Sequence, residues 1–272
     1  MTQWLLENES ITRLSVFLGT LITMLVLEKA LPNRLWQPSL VQPSLAKRQL
    51  LNLSLTVLNT VALRALPFAS AATASLWATT NNFGLFQWLD LSSTAKFALT
   101  IFLLDLCIYW QHRYFHHNAF LWNLHKVHHC DTHLDASTAL RFHPLEIIIS
   151  MLVKSLVAVL LGVPLIGLIA FEILLNASAL FNHANIKLNK ATDRTLRAII
   201  VTPDMHTVHH STDKQETNSN YGFFLSIWDR IFASYTASSK LQPTKIGITE
   251  VDPNDTNSVY KLLKLPVTKK SA

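Results

Sequence analysis

Long apolar segments alternate with short polar ones along much of the chain, and this pattern predicts helices that cross a membrane. Residues 11–27, extended to 31 and followed by Pro32, form a run about long enough to span the ~30 Å hydrocarbon layer. A more polar run at residues 50–66 and a third run at 95–110 predict two further spans.

Two later apolar stretches, at residues 145–161 and 165–180, are separated only by Gly162, Val163 and Pro164. So short a joint leaves no room for a loop domain. It predicts a tight helical hairpin that enters the membrane and returns to the side on which it began. The pattern as a whole predicts an all-α integral membrane protein.

The composition supports a membrane protein. Half of the residues are hydrophobic and only 15% are charged, which is too apolar for an ordinary soluble domain. Two cysteines, Cys107 and Cys130, exclude the multi-bridge framework of a small secreted scaffold. The amino terminus lacks the basic region and the cleavage site of a signal peptide, so we expect the first run to be a retained span.

The distribution of charge predicts the orientation. The net charge of +6 raises the alternative of nucleic-acid binding, but cytoplasmic loops of membrane proteins collect Lys and Arg, so we expect no nucleic-acid partner. Residues 65–95 contain no Lys or Arg, whereas residues 182–272 contain twelve. We therefore expect the N-terminus and the 67–94 loop outside. The polar segments from residue 111 onward then lie on the cytoplasmic face. We expect the membrane to be the cell inner membrane.

The histidines are concentrated in one part of the sequence. All twelve fall within the 99 residues from His112 to His210, next to the predicted ends of spans. Eight of them form three clusters with repeated spacing: His112 and His116; His125, His128 and His129; His206, His209 and His210. Offsets of three and four place side chains on one face of a helix, so each cluster is expected to direct its imidazoles at one point.

This number of imidazoles predicts two metal ions, because eight ligands are more than one ion can use. Neutral imidazole suits iron, zinc, copper and nickel, and the lack of zinc-finger cysteine spacing excludes a structural zinc finger. His143 and His183 are single residues beside the hairpin, where either metal ligation or an interfacial contact is possible. His117 and His133 lie off the predicted helical faces and are expected not to be ligands.

At these residues the chain resembles the fatty acid hydroxylase superfamily, and within it the bacterial sterol desaturase family proteins. The resemblance covers about half of the chain. It rests on the strings Asp105-Leu-Cys-Ile-Tyr-Trp-Gln-His-Arg, Leu121-Trp-Asn-Leu-His-Lys-Val-His-His, Leu134-Asp-Ala-Ser-Thr-Ala-Leu-Arg-Phe-His-Pro-Leu-Glu, Asn182-His-Ala-Asn, Thr202-Pro-Asp-Met-His-Thr-Val-His-His, Asn220-Tyr-Gly and Ile227-Trp-Asp-Arg-Ile-Phe.

The resemblance implies a membrane di-iron enzyme that uses O₂ and two electrons to hydroxylate or desaturate a C–H position of a lipid. Its histidine motifs match ten positions here: His112, His116, His125, His128, His129, His143, His183, His206, His209 and His210. Zinc is expected to replace iron readily in overproduced protein. The sequence holds no flavin fingerprint or haem-type donor domain, so we expect an electron donor supplied by a separate protein.

A ligating imidazole usually gives its other N–H to a carboxylate or a carbonyl. The candidates for this role are Asp105, two helical turns before His112, and the residues beside other histidines: Asp131, Asp135, Glu146, Asn185 and Asp204. For the latter five residues an alternative carries equal weight, namely that they are solvent-exposed polar residues of loops or that they cap helices.

These observations divide the chain into N-terminal spans (1–94), a catalytic domain (95–236) and a polar C-terminal tail (237–272). The leading hypothesis is an oxidase of a sterol-like, fatty acyl or isoprenoid lipid that enters an apolar slot between the helices. One alternative is a two-metal membrane hydrolase, which usually recruits bridging carboxylates. The other is a metal transporter, whose ligands should lie within the spans.

Overall fold

The fold is described from a computed structural model for residue 4 and residues 8–36, 44–66, 70–237 and 245–268. Within these residues every regular element is a helix, which confirms the all-α prediction. We number the α-helices in chain order: α1 Glu9–Ala30, α2 Leu45–Arg64, α3 Ala71–Thr80, α4 Leu85–Trp88, α5 Ser93–His117, α6 Ala119–His129, α7 Pro144–Leu161, α8 Leu165–His183, α9 Lys190–Arg197, α10 Pro203–His209, α11 Lys214–Thr217, α12 Ile227–Ile231 and α13 Val259–Lys264. Short 3₁₀ helices lie at Ala136–Leu140, Pro253–Thr256 and Leu265–Val267.

Four helices, α1, α5, α7 and α8, are long and apolar enough to cross a membrane. They correspond to the first and third predicted spans and to the two arms of the hairpin, and they confirm those predictions. The remaining predicted span, 50–66, lies in α2, which is not among these four within the described residues. Its buried side chains include Arg48, Asn52 and Asn59, so α2 packs a polar face against protein. Its other face exposes Leu50, Leu53, Val57 and Val61.

The hairpin between α7 and α8 turns at Gly162, which ends α7 in the left-handed conformation at φ +65°. Gly84 lies against this turn, and a Cβ atom placed on Gly84 would come within 2.3 Å of the Gly162 backbone nitrogen. The Ser75 hydroxyl donates to the Val163 carbonyl oxygen at 2.8 Å, and the Gln87 amide donates to that of Gly162 at 2.8 Å. The described part of segment 67–94, predicted as a loop, is therefore helical and covers the hairpin turn with α3 and α4.

Charged side chains meet inside the membrane-spanning region. Glu172 of α8 accepts hydrogen bonds from Lys154 of α7 and from Arg13 of α1, and Arg13 also pairs with Glu9 at 3.0 Å. Glu172 and Lys154 are buried. Intramembrane charges are costly unless they are paired, so these contacts fix α1 against the hairpin.

The segment predicted as a polar tail also contributes to the core. Leu262 of α13 and Leu265 are buried and pack with Leu55 of α2 and Val127 of α6. On the opposite side of α6, the C-terminal ends of α5 and α8 and the N-terminal end of α7 bring the histidines into one layer.

Candidate metal centre

Nine histidines lie together at these helix ends in two adjacent groups. The first group consists of His112, His116, His125, His129 and His209, and the second of His128, His183, His206 and His210. Within each group, one ring nitrogen from every residue lies within 4.8 Å of the others. Every member is buried except His116, which is partly exposed. The structure therefore brings nine of the ten predicted ligands into two sets, each able to hold an ion.

Two of the histidine-rich helices, α6 and α10, serve both groups, whereas α5 directs His112 and His116 to the first group alone. On α6, His125 and His129 point to the first group while His128 points to the second. At α10, His209 belongs to the first group, whereas His206 and the C-cap residue His210 belong to the second. The sequence prediction that each cluster converges on one point therefore holds for His112 and His116 and is wrong for the other two clusters. Adjacent helical residues diverge by about 100°, so paired histidines point to different sites.

Hydrogen bonds fix the proton position on three rings of the first group. The Nδ1 of His112 lies 2.8 Å from the Tyr221 carbonyl oxygen, and the Nδ1 of His209 lies 2.7 Å from that of Ser219. A carbonyl oxygen only accepts, so both Nδ1 atoms carry the proton. The Nδ1 of His125 donates in the same way to the Glu146 carboxylate at 2.6 Å. In a neutral imidazole the other nitrogen, Nε2, is then unprotonated and carries a free lone pair.

These three lone pairs face one another. The Nε2 atom of His112 lies 3.2 Å from that of His125 and 3.1 Å from that of His209. With Nδ1 protonated on every ring, no proton lies between these nitrogens to make a hydrogen bond, and a cation is required to hold them together. Two nitrogens bound about 2.1 Å from one ion at right angles lie about 3.0 Å apart, so the spacing fits a shared metal ion.

The second group has the same spacing. The Nε2 atom of His183 lies 3.1 Å from that of His128 and 3.0 Å from that of His206, and the latter lies 3.2 Å from Nε2 of His210. The Nδ1 of His183 donates to the Ala179 carbonyl one helical turn earlier, at 2.7 Å. Phe142 stacks on His128 with ring centroids 4.4 Å apart and an interplanar angle of 9°, which fixes that ring in the plane it needs.

Burial keeps these rings neutral. Desolvation, together with neighbouring histidines, lowers the pKa of His128, His129, His206 and His210 well below the ordinary value. For His209, desolvation lowers the pKa to about 3 even though the bond to Ser219 opposes the shift. Metals bind neutral imidazole, so the site holds its histidines in the ligand form at neutral pH.

His143 is the predicted ligand that lies outside both groups. It is the N-cap of α7, where its Nδ1 accepts from the Leu145 N–H at 3.2 Å and its Nε2 lies 3.3 Å from the Leu263 carbonyl oxygen. Both ring nitrogens are thereby used in holding the start of α7, so we correct its assignment as a ligand. His117 and His133 also lie outside the two groups, as expected for residues off the helical faces.

The carboxylates and the amide predicted to support the histidines have other partners. Asp105 accepts from the Trp228 indole at 2.8 Å, Asp204 from Asn33 at 3.1 Å, and Asn185 bonds the backbone of Arg34. Asp131 and Asp135 both bind Arg48. None of the five has a hydrogen bond to a histidine of either group among the described residues, which corrects that assignment. The two-turn offset places Asp105 on the same helix face as His112, but the two positions lie about 10 Å apart along the helix axis, which is too far for a hydrogen bond.

The groups that do support the histidines are Glu146 and three backbone carbonyls. Glu146 was among the sequence candidates because it lies close to His143, yet its partner is His125, 21 residues earlier. The carbonyls of Ala179, Ser219 and Tyr221 gave no signal of their own, because every residue has one. The Asn220-Tyr-Gly string was the only indication that this segment approaches the site.

A family model described as fatty acid hydroxylase matches residues 97–234, about half of the chain. The chain belongs to the fatty acid hydroxylase family. The part that matches holds all nine histidines of the two groups, together with Glu146 and Tyr221. Helices α1 and α2 and the segment 245–268 lie outside the matched region.

Curated relatives share this region of the chain. The chain is 29% identical to an ornithine lipid hydroxylase of Rhizobium tropici over 56% of its length and 45% of the relative's. It is 30% identical to the human alkylglycerol monooxygenase, over 50% of the chain and 29% of the relative, and 30% identical to a delta(7)-sterol 5(6)-desaturase of Leptosphaeria maculans, over 48% and 34%. The chain thus spans less than half the length of these relatives. No solved structure matches it.

Proposed function

We propose that the two histidine groups hold two iron ions and that the protein is an O₂-dependent oxidase that hydroxylates or desaturates a C–H position of a membrane lipid. The observation that carries the proposal is the set of three Nε2 lone pairs of His112, His125 and His209 facing one another at 3.1 and 3.2 Å. The names of the relatives support a lipid substrate, because each denotes a lipid hydroxylase, monooxygenase or desaturase.

The iron ions, when bound, supply the oxidising chemistry, with O₂ and two electrons from a separate donor protein. The chain's own residues position the ligands. Glu146 orients His125 and makes it a stronger donor, and the carbonyls of Tyr221 and Ser219 fix the tautomers of His112 and His209. Burial of eight of the nine histidines keeps water from the centre.

The two alternative functions find less support. A two-metal hydrolase usually bridges its ions with carboxylates, whereas both groups consist of histidines alone among the described residues. A metal transporter needs ligands along its spans, whereas these histidines lie at the ends of α5 and α8 and in α6 and α10.

Metal analysis and O₂ uptake test the proposal directly. Protein purified anaerobically should carry close to two irons per chain, since each group offers four or five imidazoles. Removal of the metals by a chelator should abolish lipid-dependent O₂ consumption, and restored iron should recover it. One firmly bound metal at full occupancy would reject the two-ion site, and uptake that persists in the metal-free protein would reject the mechanism.

Glu146→Gln should weaken metal binding while the fold stays intact. The amide keeps the shape and an acceptor oxygen but lacks the charge that makes His125 a better donor. Loss of such a partner typically costs about 10–100-fold in metal affinity or activity. Metal release to a competing chelator measures the effect. Glu216→Gln serves as the control, because Glu216 accepts a hydrogen bond from the Ser211 hydroxyl and lies outside both groups. Equal release from both variants would contradict the role of Glu146.

The orientation is tested by labelling cysteines in intact cells. Asn81 follows α3 on the side of the hairpin turn, and Asn254 lies in the C-terminal segment on the side of the histidines; both are exposed. Because residues 182–272 contain twelve Lys and Arg residues and residues 65–95 contain none, a membrane-impermeant reagent should label Asn81→Cys directly but Asn254→Cys only after permeabilisation. Peptide mapping distinguishes both from Cys107 and Cys130. The reverse pattern would place the histidines away from a cytoplasmic electron donor.

A further inference from the structure

A cavity of about 270 Å³ lies beyond the helix ends and reaches the first histidine group. It is bounded by α6, by the loop that follows His210 and by the C-terminal segment, and His116 lies in its wall. His116 is the only member of either group that is partly exposed. The cavity is therefore a route by which a molecule from outside the protein reaches the histidine centre.

The walls of this cavity carry charges of opposite sign. Lys126 of α6 and Lys214 of α11 lie on the side of the histidine elements, and the C-terminal segment places Glu250, Asp252 and Asp255 across from them. Lys214 and Glu250 approach to 3.8 Å across the opening. Between the charges the lining combines apolar side chains with hydroxyl and amide ones. The apolar residues are Trp122, Ile248, Val251 and Leu265, and the polar ones are Asn123, Ser211, Thr212, Thr217, Asn218, Thr249 and Thr268.

This cavity differs from the apolar slot that the sequence predicted. A hydrocarbon chain in it would bury charged and hydroxyl groups without giving them hydrogen bonds, which is unfavourable. A molecule with an anionic part and a cationic part would satisfy both walls at once. A cavity volume of about 270 Å³ is enough for a polar headgroup.

The geometry points to a zwitterionic headgroup as the occupant: the cavity holds the polar end of the lipid substrate, with its anionic part toward Lys126 and Lys214 and its cationic part toward Asp252 and Asp255. This inference rests on the proposed function for its substrate. It also has a consequence for the reaction, because His116 lies at the wall of the same cavity. The oxidised carbon then lies within a few bonds of the headgroup and not at the far end of a hydrocarbon chain.

Protection of a cysteine tests this binding without any need for turnover. Thr249 is exposed and lines the cavity, whereas Asn254 is exposed on the same segment and does not line it. Iron-loaded Thr249→Cys and Asn254→Cys proteins in non-ionic detergent are reacted with a maleimide in the presence of dilauroyl phosphatidylethanolamine, dilauroyl phosphatidylglycerol or dilauroylglycerol. The zwitterionic lipid should slow labelling of Thr249→Cys several-fold, with little effect from the anionic and uncharged lipids and none at Asn254→Cys.

Neutralising the acidic wall provides the matched test of charge. Asp252→Asn with Asp255→Asn in the Thr249→Cys protein should remove the protection, while asparagine retains the cap that Asp252 gives the following turn. An unchanged metal content shows that the variant is folded. Protection by the uncharged or anionic lipid to the same extent, protection by none of the three, or protection that survives neutralisation would each overturn the inference.

Two further measurements distinguish a failure of the headgroup site from a failure of the proposed function. Metal content and lipid-dependent O₂ uptake are measured on the same preparations. A protein that carries two irons and consumes O₂ with lipid, but whose Thr249→Cys is not protected, retains the proposed function and loses the headgroup site. A protein that binds neither iron nor O₂ fails at the function, whatever the labelling shows.

Discussion

His209→Ala is expected to empty the first histidine group of its metal and to abolish lipid oxidation. Its Nε2 lies 3.1 Å from that of His112, and its Nδ1 is fixed by the Ser219 carbonyl at 2.7 Å. His206 and His210 cannot take its place, because they belong to the other group, and the four imidazoles that remain lose one of the three Nε2 atoms that face one another. Metal content should fall from about two ions per chain toward one or fewer, and activity should be lost entirely.

His117→Ala and His133→Ala are the matched controls for this loss. His117 contacts the Tyr221 hydroxyl at 3.3 Å and His133 lies edge-on to Trp36, both outside the two groups. Each variant should keep near-normal metal content and activity. If His117→Ala emptied the site while His116→Ala left it full, the ligand of the first group would be His117 and not His116.

His143→Ala separates capping from ligation. Since His143 caps α7 and lies outside both groups, the variant should keep both metals and lose about 1 kcal/mol of stability. Metal analysis and thermal unfolding of the same sample measure the two effects. Loss of one metal from this variant at an unchanged unfolding temperature would make His143 a ligand after all.

Arg48→Met is expected to be the most destabilising change outside the histidines. Arg48 is buried at the start of α2 and pairs with both Asp131 and Asp135, which follow the histidines of α6. Removal of the guanidinium leaves two buried carboxylates unpaired, and breaking a buried pair in this way typically costs about 3–5 kcal/mol. Denaturant or thermal unfolding in detergent measures the loss, and metal retention should weaken because Asp131 lies in the turn after His128 and His129.

The control for Arg48→Met removes the negative charges as well. Asp131→Asn and Asp135→Asn added to Arg48→Met should recover much of the lost stability, since the two carboxylates that Arg48 neutralised are then replaced by neutral amides. Arg48→Lys should lie between the two, because one ammonium cannot match the forked contact to both carboxylates. A triple variant less stable than Arg48→Met would show that the pairs matter through shape and not through charge.

The sequence predicted best what depends on local periodicity. The spans α1, α5, α7 and α8, the hairpin turn at Gly162 and the three histidine clusters all follow from spacing along the chain. The polar face of α2 was misjudged because burial of Arg48 and Asn52 depends on partners more than 80 residues away. A hydropathy pattern counts such residues as exposed polarity.

The errors at the histidines have a similar cause. The division of His128 and His129 between two groups depends on where α5, α8 and α10 lie around α6, which no spacing records. Proximity in sequence favoured Asp131 and Asp204 as partners of histidines, whereas the carboxylate that reaches a ring is Glu146, from another helix. His143 was assigned as a ligand because its Phe-His-Pro string matches a histidine motif of the family, whereas in the structure it caps α7.

The cluster of Glu9, Arg13, Lys154 and Glu172 bears on how the protein responds to voltage. Its two cations and two anions cancel, so the electric field across an energised membrane exerts no net force on it. A single uncompensated charge carried across the whole field would be worth about 2.3 kcal/mol per 100 mV. Through this cluster, a change in membrane potential therefore exerts no net force on α1, α7 and α8.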